Sequence, residues 1–211
     1  MSFDLDGTLV DSRADLVAAV NHVLGTLGLP PQPPETLARY VGEGARVLVE
    51  RALGSARAPD FERGVATFMD FYRSHLLDAT RAYPGIEPAL ASLAEAGVAI
   101  SVLTNKPVAL SRAILDGLGL SRRFIDVIGG DSLPVRKPNP AGLELLRERT
   151  GTARDRVLFV GDSHIDVETA RNAGVAFCGV AWGLVPETLH AARAERVVRH
   201  PAEIVALVRG G

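Results

Sequence analysis

The chain has 211 residues, 47% of them hydrophobic, 23% charged and 5% aromatic, a composition that excludes disordered, collagenous and low-complexity classes. It has 25 acidic residues against 23 basic ones and a formal charge of −2, so bulk charge points to no nucleic-acid or anionic-membrane partner. The basic residues are unevenly chosen: Lys106 and Lys137 are lysines and the other 21 are arginines. A GC-rich genome would produce that bias without explaining where the two lysines stand.

The single cysteine, Cys178, excludes an internal disulfide and suits a reducing compartment. Its apolar surroundings, Val175 to Val180, read as a buried small hydrophobe rather than a nucleophile. No uninterrupted apolar stretch approaches the ~20 residues of a membrane span. Asp4 and Asp6 stand where a signal peptide would need a basic start and an apolar run. A soluble, cytoplasmic protein is the expectation.

After Ser12 the spacing of Leu16, Val17, Val20, Val23, Leu24 and Leu27 predicts a helix, with Ser12 and Asp15 as its capping box and Gly28 as its stop. Prolines 30, 31, 33 and 34 then break the chain, and helical patterns follow over 35–53 and 59–77. Helices in succession with no convincing strand make residues 12–82 a helical unit inserted into a core of residues 1–11 and 83–211. Within that core helix and strand alternate: helices over 88–96, 107–118, 139–150, 165–173 and 202–208, strands over 98–103, 127–128, 157–160 and 175–180. Apolar strands separated by helices predict an α/β fold, a Rossmann-like parallel sheet with helices on both faces. Sheets of this kind bind ligands at the carboxyl ends of their strands.

The residues with chemistry follow those strand ends. Asp4 and Asp6 are two apart, so on an extended chain they project to one side. Two carboxylates held together need a cation or a shared proton, although an Asp-Gly pair such as Asp6-Gly7 also occurs in ordinary polar turns. Asp162 ends an apolar strand and Asp166 lies one helical turn beyond it. Acids in a first turn also serve simply as caps. Taken together the two clusters point to a hard divalent cation with oxygen ligands, Mg2+; His164, with no histidine or cysteine partner, does not make a zinc site. Thr104 and Asn105 end another strand and offer a hydroxyl and an amide to an anionic group. Lys137, stiffened by Pro138 and Pro140, suits neutralisation of a carboxylate cluster and binding of a phosphate. Each of the last two elements reads equally well as a surface loop when taken alone.

Their order carries more. Asp4-x-Asp6-Gly7-Thr8-Leu9-x-Asp11-Ser12, Thr104-Asn105, Lys137-Pro138 and Gly161-Asp162-Ser163-x-x-Asp166 resemble, in sequence, the four motifs of the haloacid dehalogenase superfamily of phosphohydrolases, and the resemblance covers essentially the whole chain. The helical insert resembles that family's type-one cap, and the stretch from Tyr40 to Leu53 is similar to the substrate-facing segment of bacterial phosphoglycolate phosphatases. The resemblance implies a Mg2+-dependent phosphomonoester hydrolase for a small phosphorylated metabolite, with 2-phosphoglycolate as the leading substrate and other small phosphomonoesters, sugar phosphates and pyrophosphate left open, no nucleic-acid or membrane partner, and a monomer or homodimer. It implies Asp4 as the nucleophile that forms an aspartyl-phosphate and Asp6 as the acid and base. Asp4, the Asp6 carbonyl and Asp162 would hold the metal, with Asp166 supporting. Lys137 would offset charge, Thr104 and Asn105 would bind the phosphoryl group, and the turn at Gly44 with Arg46 would read the rest of the substrate. Lys106 is expected to add positive potential at the cleft mouth.

Three alternatives share the scaffold: a sugar phosphomutase, a dehalogenase, and a binding protein without catalysis. The Gly7-Thr8 pair is closer to the hydrolases, and dehalogenation needs neither Asp6 nor a magnesium site. One departure from the family stands out. Met1, Ser2 and Phe3 precede Asp4, where a typical strand has ~5–6 residues; either the nucleophile strand is short or the true start lies upstream.

Overall fold

The computed structural model describes residues 1–209. Strand β1 is Ser2–Phe3 and β2 is Val10–Asp11; helices α1 (Arg13–Thr26), α2 (Pro34–Ala38), α3 (Ala45–Leu53) and α4 (Phe61–Ser74) follow, then β3 (Arg81–Ala82). The rest alternates: α5 (Ile86–Glu95), β4 (Ser101–Leu103), α6 (Val108–Gly117), β5 (Asp126–Ile128), α7 (Ala141–Thr150), β6 (Leu158–Gly161), α8 (His164–Ala173), β7 (Ala176–Val180), α9 (Glu187–Ala191), β8 (Val197–Val198) and α10 (Pro201–Arg209). No helix among the described residues is long and apolar enough to cross a membrane.

Six strands form one parallel sheet in the order β5-β4-β1-β6-β7-β8. The α/β class expected from the alternating texture is the one found. Successive strand residues point to opposite faces, which separates two apolar clusters. Leu103 and Phe159 pack with Leu143, Leu146 and Ala170 of α7 and α8 on one face. Their neighbours Val102 and Val160 join a larger cluster with Ile86 and Leu90 of α5 and Ile114 of α6 on the other.

Strand β1, which leads to Asp4, has two residues. Its two residues nevertheless sit in the middle of the sheet, Ser2 and Phe3 pairing with Ser101 and Val102 on one side and with Phe159 and Val160 on the other. The Ser2 and Ser101 hydroxyls are 2.8 Å apart, and Phe3 is buried. Two neighbouring strands hold in place what length alone would not.

The chain leaves the sheet after β1 and returns before α5. The exit and the return meet in an antiparallel pair, Val10 opposite Ala82 and Asp11 opposite Arg81. Between them α1, α3 and α4 pack through Val20, Val23 and Leu24, Leu48 and Leu53, and Phe68. Two expectations for this segment need correction. The helix predicted over 35–53 is two helices, because Gly42 and Gly44 take φ values of 118° and 92° that no helix accommodates. The capping box at Ser12 and Asp15 does not form. Both side chains go elsewhere: Ser12 Oγ donates to Asp6 at 2.5 Å, and the buried Asp15 carboxylate accepts from the Ala79 N–H at 2.9 Å, the Thr80 N–H at 2.8 Å and the Thr80 hydroxyl at 2.6 Å. A local cap gives way to hydrogen bonds across 64 residues of sequence because burial makes the charge-assisted bonds the stronger ones.

That clasp generates a prediction. Asp15→Ala leaves the buried N–H and hydroxyl of Thr80 and the partly buried N–H of Ala79 unpaired and should lower unfolding free energy by about 1–3 kcal/mol, with Asp15→Asn intermediate. Urea denaturation measures it; a loss under about 0.5 kcal/mol would show that the clasp contributes little.

Candidate active site

The carboxyl ends of β1, β4 and β6 and the loop after β5 converge on one place. Asp4 is the first residue past β1, and its N–H donates to the Val160 carbonyl at 2.9 Å, so the backbone ladder itself sets where the carboxylate emerges. Lys137 comes from the loop between β5 and α7. Its ammonium lies 2.8 Å from Asp4 Oδ1 and 2.7 Å from Asp166 Oδ1, with the Phe159 ring beneath it at 5.5 Å. All three groups are buried. Burial works against a charged ammonium here, but the Asp166 and Asp4 carboxylates outweigh it and hold the Lys137 pKa above the ordinary lysine value.

Asp166 is fully engaged. Besides Lys137, it accepts from the Ser163 hydroxyl at 2.7 Å and from the Ser163 N–H at 3.1 Å, a capping box at the start of α8. Asp162 is held by the Leu184 N–H at 2.7 Å on Oδ2 and packs against Gly7. A Cβ on Gly7 would lie 2.2 Å from that carboxylate, and its φ of 82° is one that side chains disfavour. Gly7 therefore has two reasons to be glycine, the turn and the space for Asp162.

Asp4, Asp162 and Asp166 each place a carboxylate oxygen within 4.8 Å of the others. Three buried carboxylates face one ammonium, and burial with that imbalance shows in the proton affinities of Asp4 and Asp162. Burial pushes the Asp4 carboxyl up to about 6 even though Lys137 pulls it down. Burial, with Asp166 and Asp4 beside it, holds Asp162 well above the usual carboxylate range. An oxygen-only donor set with surplus negative charge fits a hard divalent cation. Asp4 and Asp162 are the candidates to ligate it, since both Asp166 oxygens are committed to Lys137 and Ser163.

Asp6 stands beside this cluster with a cation of its own. Lys106 Nζ lies 2.8 Å from each Asp6 oxygen, and Lys106 is 6% exposed. This corrects the expectation that Lys106 lies at the cleft mouth. It is inside, pointing from the end of β4 toward the first motif, with its ammonium 4.8 Å from the Tyr72 ring centre. Burial disfavours the charge, yet Asp6 and Tyr72 raise the Lys106 pKa above its ordinary value. The signal in the sequence was its identity as one of two lysines in an arginine-rich chain.

Thr104 is buried, and its Oγ1 accepts from the Lys106 N–H at 3.2 Å, which leaves the hydroxyl hydrogen to donate. Asn105 is differently placed from what its sequence position implied. Its amide gives one hydrogen to the Gly42 carbonyl at 2.9 Å and the other to the Lys137 carbonyl at 3.1 Å, so it ties the insert to the sheet and does not present those donors to an anion. Gly44 reaches the same spot, where a Cβ would lie 3.2 Å from the Asn105 carbonyl oxygen. Arg46, one turn further on, is not brought to the site. It pairs with Glu62 at 2.5 Å, lies over Phe61 at 4.7 Å and is half exposed.

A cavity of about 40 Å3 opens between Asp4, Asp6, Thr104 and Lys106 on the sheet side and Gly44 and Tyr72 on the insert side. His164 is exposed, away from the aspartates' ligand set. Cys178 is buried and burial pushes its thiol up to about 11, so it is an inert part of the core.

Comparison with known proteins identifies the family. The family model for haloacid dehalogenase-like hydrolases matches residues 1–180. A phosphoglycolate phosphatase of Pseudomonas putida is 44% identical over 188 residues, 86% of this chain and 68% of that one. A phosphoglycolate phosphatase of Neisseria gonorrhoeae is 40% identical over 194 residues, 90% of this chain and 82% of that one. The crystal structure of a predicted phosphoglycolate phosphatase from Haemophilus somnus superposes with a TM-score of 0.93 at 32% identity, over 98% of this chain and 96% of that one. With three motifs at strand ends, the fourth in the loop after β5, and that match over most of its length, the chain belongs to the haloacid dehalogenase-like hydrolases.

Proposed function

We propose that the protein hydrolyses a small phosphomonoester, 2-phosphoglycolate, to glycolate and phosphate, with Asp4 as nucleophile and Mg2+ as cofactor. The observation that carries this reading is the buried cluster at the end of the central strand: Asp4 held 2.8 Å from Lys137, Asp162 and Asp166 within 4.8 Å, and Asp6 beside them facing the same cavity. The relatives named above support the substrate.

In the first step an Asp4 oxygen attacks phosphorus, the ester P–O bond breaks, and Asp6 delivers a proton to the departing glycolate oxygen, leaving an aspartyl-phosphate. In the second, Asp6 takes a proton from water, the resulting hydroxide attacks phosphorus, and the Asp4 carboxylate leaves. Lys137 keeps Asp4 oriented and offsets its charge as a phosphate dianion approaches. The Thr104 hydroxyl donates to a phosphoryl oxygen. Asp4, Asp162 and the Asp6 carbonyl would hold Mg2+, which supplies positive charge against the developing charge on the phosphoryl oxygens. Residues 12–82 act as a cap that covers the site and excludes water. The site faces a cavity of about 40 Å3 between the sheet and the insert.

Asp4→Asn should fold like the parent by circular dichroism and lose phosphate release by about three orders of magnitude or more; retained turnover would remove Asp4 from its role. Chelation by EDTA should abolish turnover and Mg2+ restore it. In a melting experiment, Mg2+ at about 100 times its Kd should add about 2.7 kcal/mol to stability, and an indifferent melting curve would count against the metal assignment. Finally, kcat/KM should be highest for phosphoglycolate in a panel with ethyl phosphate, hexose phosphates and pyrophosphate; another compound ahead by about tenfold would change the substrate.

A further inference from the structure

The cavity contains two polar groups that the steps above leave unused. Tyr72, on α4, is 1% exposed and lines the cavity, yet its hydroxyl has no hydrogen-bond partner. Buried polar groups are nearly always partnered, so a lone hydroxyl facing a cavity marks where a ligand atom belongs. Burial pushes this phenol up to about 12, which keeps it a donor at neutral pH. The second group is the Lys106 ammonium. An ammonium has three donors, and the Asp6 oxygens at 2.8 Å account for two. The third makes no hydrogen bond of its own but lies close enough to the Tyr72 oxygen for that group to raise the ammonium's proton affinity, and the cation lines the cavity 4.8 Å from the centre of the Tyr72 ring. Around the two donors the lining is apolar, with Leu16, Leu48, Phe68 and Leu110, so a charge held there is poorly screened and strongly attracted.

We propose that Lys106 and Tyr72 form the subsite for a carboxylate on the substrate's leaving group, one oxygen accepting from the ammonium and the other from the phenol. The phosphoryl group lies toward Asp4 and Lys137 and the carboxylate toward Lys106 and Tyr72. This deepens the phosphomonoesterase reading and rests on it for the orientation of the ligand. Selectivity arises because a leaving group with a methyl in place of the carboxylate leaves both buried donors unpaired, and sites built from hydrogen bonds discriminate strongly against such analogues. It also places the reading of the substrate on α4 and the end of β4 rather than on Arg46, whose guanidinium is engaged with Glu62.

The test is binding without turnover, measured by calorimetry in Mg2+ with two ligands of equal length, 3-phosphonopropionate and propylphosphonate. The parent protein should prefer the carboxylate ligand by at least about tenfold. Tyr72→Phe, which keeps the ring and removes the hydroxyl, should shrink that preference several-fold, and Lys106→Met should bring the two affinities close together. Melting curves report whether each variant is folded; because Lys106→Met strands Asp6, Tyr72→Phe alone decides the matter if the other fails to fold. A parent without preference, a parent that binds neither ligand, or a preference unchanged by Tyr72→Phe overturns the subsite. Failure of the hydrolase reading has a different mark: no phosphate release from any phosphomonoester while the affinity gap and its loss in Tyr72→Phe persist.

Discussion

A buried ammonium between two buried carboxylates organises this molecule. Lys137 has almost no contact with water, and neither does Asp4 or Asp166. None of the three tolerates that burial alone, since an unpaired buried charge is far more costly than a paired one. The requirement is mutual and draws three loops to one point, after β1, after β5 and after β6. The Ser163 cap on Asp166 extends the chain of dependence into α8, and the backbone bond from Asp4 to Val160 extends it into the sheet. Removing any one partner would leave the others as liabilities. The cluster is still one cation short of balance, and the raised proton affinities of Asp4 and Asp162 are the electrostatic expression of a place suited to a metal.

The insert meets the sheet through polar contacts at two ends. At the neck, Asp15 grips the backbone of Ala79 and Thr80 beside the short β2–β3 pair. At the site, the Asn105 amide reaches the Gly42 carbonyl, and Lys106 extends beneath Tyr72. Directional bonds at both ends fix the register of one body on the other, which apolar contact alone does not do. The same contacts enclose a cavity with a carboxylate end and a donor end. Apolar side chains meet across the same boundary, with Leu48 and Phe68 of the insert lining that cavity opposite Leu110 of α6.

The sequence and the structure part company at specific residues. Ser12, Asp15 and Asn105 each have a sound local reading, as a cap, a cap partner and an anion donor. Asp15 and Asn105 instead bond to residues far along the chain, and Ser12 turns back to Asp6. The broken helix at Gly42 and Gly44 is legible in principle, since two glycines in three residues are a poor helix, but the apolar spacing around them masks it. Lys106 stands out in the sequence by its scarcity, while its burial and its partner depend on how β4 sits against β1.

By itself the sequence determined the α/β alternation, the place of the helical insert and the order of the acidic and basic motifs, because periodicity and strand-end position are local properties of a chain. Only the tertiary structure decided which lysine meets which aspartate, that Asp166 is spent on Lys137 and Ser163, that Arg46 faces Glu62, and that Tyr72 comes to lie unpartnered over Lys106. Those outcomes depend on burial and on distances between segments well apart in the chain, 16 residues for Arg46 and Glu62, 29 for Lys137 and Asp166 and 100 for Lys106 and Asp6. In a low-dielectric interior such distances decide whether a charge is paired or stranded, and no spacing along the chain encodes them.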